Sequence, residues 1–62
     1  MDIELVKQMI ASAVQWAEEM MLPSNELRFE IKEEAYLGRY TVYILHNGDV
    51  VEEQIYEILH KL

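Results

Sequence analysis

The chain is expected to fold as a small α+β domain, a single-layer antiparallel sheet of two or three strands with two helices on one face. Three observations predict this. Apolar side chains recur at helical spacing over the first 22 residues, residues 26–33 alternate between charged and apolar as far as Lys32, and Asn47-Gly48 follows a β-branched and aromatic run. The expected order is α-β-β-β-α, or α-β-β-α if the third strand does not form.

The first helix is capped by Asp2 and runs to about Leu22, where Pro23, Ser24 and Asn25 stop it. Projected at about 100° per residue, Ile3, Leu5, Val6, Met9, Ile10, Ala13, Val14, Trp16, Ala17, Met20 and Met21 fill an arc of roughly 180°. Glu4, Lys7, Gln8, Ser12, Gln15, Glu18 and Glu19 occupy the other half. A surface helix needs an apolar stripe of only about 100° to cover its own core. Part of this face is therefore expected to meet another chain, and Leu5, Met9, Trp16 and Met20 are the candidate contacts for a homodimer. Trp16 lies at one edge of the arc, and Trp is a residue type that dominates interface energetics.

Residues 26–33 put Leu27, Phe29 and Ile31 on one side of a strand and Glu26, Arg28, Glu30 and Lys32 on the other. Residues 39–46 form the second strand, by their Tyr, Thr, Val and Ile content. Asn47-Gly48 suits the positive φ values of a type I′ turn, with a short return strand at 49–52. Asp49 and Glu52 also have the spacing of a capping box that would open a helix there. The favoured reading begins the last helix near Glu53, burying Ile55, Ile58, Leu59 and Leu62. The inner sheet face is then Leu27, Phe29, Ile31, Val42, Ile44 and Val51. Tyr43, Leu45 and Val50 form an apolar patch on the outer face, a second candidate contact surface.

The 62 residues make one domain, 1–62, with a core so small that support from self-association or a partner is expected. No cysteine is present, which removes disulfides and fits a reducing compartment. No basic leader or long apolar run occurs, so a soluble, cytoplasmic protein with no membrane association is expected. Twelve acidic against five basic residues give a net charge of −7, a field that repels nucleic acid and steers the chain toward a basic protein surface. Glu33, Glu34, Glu52, Glu53 and Glu57 are the candidate acidic contacts. Side chains two apart on a strand stand about 6.6 Å apart, close to the spacing of successive phosphates.

Little in the chain supports catalysis. His46 and Asp49 flank the turn and are expected to pair across it. Glu57 and His60 have Glu-x-x-His spacing, but they lie opposite Ile55, Leu59 and Leu62 and lack the further inward carboxylates a metal site needs. No enzyme activity, cofactor or metal is expected.

By element order, the chain resembles double-stranded RNA-binding domains, although Glu52-Glu53-Gln54 stands where those domains carry a basic cluster. In order and acidity it also looks like small phage proteins that inhibit host nucleic-acid machinery, including anti-CRISPR proteins that occupy a basic DNA-binding groove. The resemblance covers topology and composition and transfers no residue. The function expected is a non-catalytic acidic protein-binding module, most concretely an inhibitor of a nucleic-acid-handling protein. The alternative is a structural or assembly subunit docking through the apolar face of its first helix.

Overall fold

A computed structural model describes residues 3–57. They form one helix and a three-stranded antiparallel sheet, a small α+β arrangement. Helix α1 spans Ile3–Glu19, and strands β1, β2 and β3 span Leu27–Glu34, Arg39–His46 and Asp49–Glu57. The strands lie in the order β1-β2-β3, so β2 is central and the other two are edges.

The helix stops before its proline. The Leu22 N–H donates to the Ala17 carbonyl and the Met21 N–H to the Glu18 carbonyl, both at 3.0 Å, with Met21 at φ 59°. This pair of bonds is a Schellman termination, in which one left-handed residue turns the chain and satisfies the last carbonyls. A 3-10 turn at Ser24–Glu26 then leads into β1. A second at Ala35–Leu37 closes through Gly38 at φ 65°, in the left-handed region where glycine carries no Cβ penalty.

In the register of β1 on β2, Leu27 stands opposite His46 and Glu34 opposite Arg39. Between β2 and β3, Asn47 at φ 51° and Gly48 at φ 87° make the tight turn, as the Asn-Gly dipeptide predicts. Leu45 faces Val50 but Ile44 faces Glu52, which leaves Val51 as an extra residue, a β-bulge.

Several expectations fail because of β3. Residues 53–57 continue the strand and do not open a helix, since they extend the ladder with Arg39–Tyr43 of β2. The capping-box spacing of Asp49 and Glu52 likewise falls within the strand. Ile58, Leu59 and Leu62, expected on the buried side of a last helix, lie outside the described residues. The bulge also moves Val51 off the inner face and gives that position to Glu52, with Gln54 and Tyr56 following at alternate positions. Ile55, expected to be buried, is 53% exposed on the other face.

The core is formed where α1 lies on β2. Met9 and Ala13 meet Tyr40, Val42 and Ile44, and Leu5, Trp16, Leu27, Phe29, Ile31 and Tyr56 pack around them. Ala13 and Ala17, both buried, let the helix backbone come close to the sheet. On the opposite sheet face Thr41 and Leu45 are also buried. Lys32 and Ile55 flank Thr41, and Arg28 and Val50 flank Leu45, so long side chains on both edge strands shield the central one.

Candidate protein-binding surfaces

Three surfaces follow from this arrangement: the helix flank beside β1, the β3 edge, and the outer face of the sheet. The first shows where the surplus of the apolar arc goes. Leu5 and Trp16, on one flank, are half-buried against the core, and Met9 is completely buried. The exposed material is on the other flank, where Ile10 and Val14 are each 38% exposed and Ile3 more so. Of the four helix residues expected at a contact surface, Met20 alone is exposed, at 56%. The width of the arc predicted a surplus, but which flank the sheet would leave bare depends on tertiary docking, and no periodicity encodes that.

A shallow apolar groove runs beside the bare flank, between α1 and β1, with Val14, Ala17, Leu22, Leu27 and Phe29 in its lining. The Schellman turn shapes one end, because it brings Leu22 back against Ala17, the usual apolar contact of that motif. Spacing along either segment alone could not have shown this groove.

The carboxylates divide by strand. Near β1, each finds a partner: Glu30 Oε2 accepts from Arg28 at 2.6 Å and Glu33 Oε2 from the Tyr40 hydroxyl at 2.7 Å. Glu34 is 7% exposed and accepts from the Tyr36 hydroxyl at 3.3 Å and from Arg39 Nε at 3.4 Å. Glu26 Oε1 lies 2.8 Å from His46 Nε2 and 3.4 Å from Asn47 Nδ2, clamping the tip of the sheet. His46 is therefore paired with Glu26, although Asp49 is its register partner as expected.

On β3 the pattern reverses. Asp49, Glu52, Glu53 and Glu57 lie within nine residues that contain no cation. Among the described residues none of these four is ion-paired; Glu52 accepts only the N–H of Glu53, at 3.2 Å. Of the five acidic contacts expected, Glu34 is thus buried and Glu33, though exposed, is engaged by Tyr40, whereas Glu52, Glu53 and Glu57 share an open strand edge. On the outer sheet face Tyr43 is half-buried and Leu45 buried, so the apolar patch there is carried by Val50 and Ile55.

Among the described residues no group of His, Asp and Glu is placed to hold a metal ion, and no helix is long and apolar enough to cross a membrane. His60, the other half of the Glu-x-x-His pair, lies outside them. Comparison with protein-family models, curated proteins and solved structures returns no match.

Proposed function

We propose that this chain is a non-catalytic binding module whose β3 edge docks on a basic protein surface, most concretely as an inhibitor of a nucleic-acid-handling protein in the cytoplasm. The supporting observation is the uneven engagement of its carboxylates. Charges needed only for solubility have no reason to be paired on one edge and unpaired on the other. On the outer face of this cation-free strand Glu53 and Glu57 stand four residues apart, about 13 Å, twice the repeat of one strand face, and a basic groove that accepts a phosphate backbone would accept carboxylates at that doubled spacing.

The test immobilises the wild-type chain, the Glu53→Lys/Glu57→Lys variant and a Glu4→Lys control, and compares what each captures from a lysate. The expected result is a nucleic-acid-binding protein whose capture is lost with added salt and with the β3 reversal but kept by the control, and whose nucleic-acid binding the chain inhibits. Capture that survives both salt and reversal would overturn the reading. Such an outcome belongs to a second reading, an assembly subunit docking through α1, which the exposure of Ile3, Ile10 and Val14 favours. In that case Val14→Glu abolishes capture and salt has little effect.

A further inference from the structure

From the pattern on its open edge, we infer that β1 pairs with β1 of a second copy about a two-fold axis at Phe29, giving a six-stranded sheet.

Among the described residues no strand pairs with the outer side of β1, and its backbone is available for this. The Asn47 N–H donates to the Glu26 carbonyl at 3.0 Å, so residue 26 directs its hydrogen-bonding groups toward β2. By the alternation of an antiparallel ladder, Arg28, Glu30 and Lys32 do the same, and Leu27, Phe29 and Ile31 direct N–H and C=O to the free edge. A second β1 can exchange both bonds with each of these three residues.

The side chains select the register. With Phe29 opposite the partner's Phe29, Leu27 meets the partner's Ile31, so every inner-face pair is apolar. On the outer face Arg28 meets the partner's Glu30, twice by symmetry, and the existing Arg28–Glu30 pair becomes a ring of four alternating charges. Moving the axis to Glu30 sets Glu30 against itself and Arg28 against the partner's Lys32. Moving it to Ile31 sets Phe29 against the partner's Glu33 on the inner face. Only the Phe29 axis satisfies both faces. β3 offers no comparable edge, since it carries no cation to answer its four carboxylates and its bulge interrupts the ladder.

The bare helix flank fits the same axis. The second β1 brings its Leu27, Phe29 and Ile31 to the margin of the groove that Val14 and Phe29 already line. The two β2 strands then lie about 14 Å apart, three strand spacings, so helices seated over them face each other through Ile10 and Val14. The occupant of the groove is thus a second copy of this chain. The inference does not depend on a basic partner: the acidic β3 strands remain free at the two outer edges, about 24 Å apart.

The test is the solution mass by light scattering or sedimentation across a micromolar dilution series, with circular dichroism confirming the fold of each variant. The wild type is expected at twice its 7.4 kDa chain mass. Arg28→Glu and Glu30→Arg, both at exposed positions, should each weaken self-association roughly ten- to thirtyfold by placing like charges opposite one another. The Arg28→Glu/Glu30→Arg double variant should restore it. Glu53→Lys/Glu57→Lys should leave the mass unchanged, which separates this result from any outcome at the β3 edge. A folded wild-type monomer throughout the series overturns the proposal, and so does a dimer indifferent to the charges at 28 and 30.

Discussion

Met21 carries the clearest local conflict in the chain. It occupies the left-handed position that ends α1, where a side chain meets its own carbonyl and glycine is the usual solution. The side chain is 88% exposed, so packing inside the chain offsets little of that cost. Met21→Gly is therefore expected to stabilise the fold by about 0.5–1 kcal/mol, the left-handed penalty less the added freedom of the unfolded chain. The denaturation midpoint at fixed protein concentration reads this directly, and a lower midpoint would mean that Met21 makes a stabilising contact. Glu18 and Glu19 aggravate the same helix end, since no basic residue in the last turn answers the partial negative charge there. Their identity could be read from the sequence but their full cost could not, because the expected helix continued to Leu22 and left only Glu19 at the start of its last turn.

Strand β3 shows how an element can be hidden by its own composition. Once Val51 is set aside as a bulge, the inward row is Glu52, Gln54 and Tyr56, so the apolar alternation that reveals β1 is missing. Glu and Gln are also good helix formers, and the cap-like Asp49 spacing reinforced a helical reading. Strand pairing with β2 wins because hydrogen bonding to a sheet already anchored by α1 outweighs a few tenths of a kcal/mol of propensity per residue. By contrast the turn at Asn47-Gly48 and the inward row Leu27, Phe29 and Ile31 were legible, because turn chemistry and period-two burial are local. The bulge also gives a test of register. Deleting Val51 makes Val50 and Glu52 neighbours and leaves every pair from Ile44–Glu52 to Arg39–Glu57 on its present face. The shortened chain should keep its fold, with stability within about 0.5 kcal/mol of wild type. Cross-strand nuclear Overhauser contacts between Val42 and Gln54 would verify the register. Contacts from Val42 to Glu53 or Ile55 in their place would show that the extra residue sits elsewhere on β3.

At the scale of the molecule, opposite electrostatic habits on the two sheet edges determine how the chain should respond to salt. On β1 the acidic groups are answered by Arg28, Arg39, Tyr40 and His46. These contacts are short-range, and the most exposed, Arg28–Glu30, is of a kind worth at most about 1 kcal/mol. On β3 the four carboxylates repel one another within a chain of net charge −7. Screening acts first on unpaired, solvent-exposed charge at separations near the Debye length, about 10 Å at 0.1 M salt, and removes less from charges in contact. Repulsion should therefore be lost faster than attraction. Raising sodium chloride from about 0.05 to 0.5 M, at a protein concentration low enough that the chain is monomeric throughout, is expected to raise Tm by roughly 5 °C, the response of so small a domain to about 1 kcal/mol. Glu53→Lys/Glu57→Lys should raise Tm in low salt and flatten the salt response, because the repulsion that salt screens is then gone. A Tm that falls with added salt would place the balance with the paired carboxylates of β1. The β3 edge would then cost the fold nothing, and its unpaired charge would lose its standing as a feature retained for a partner.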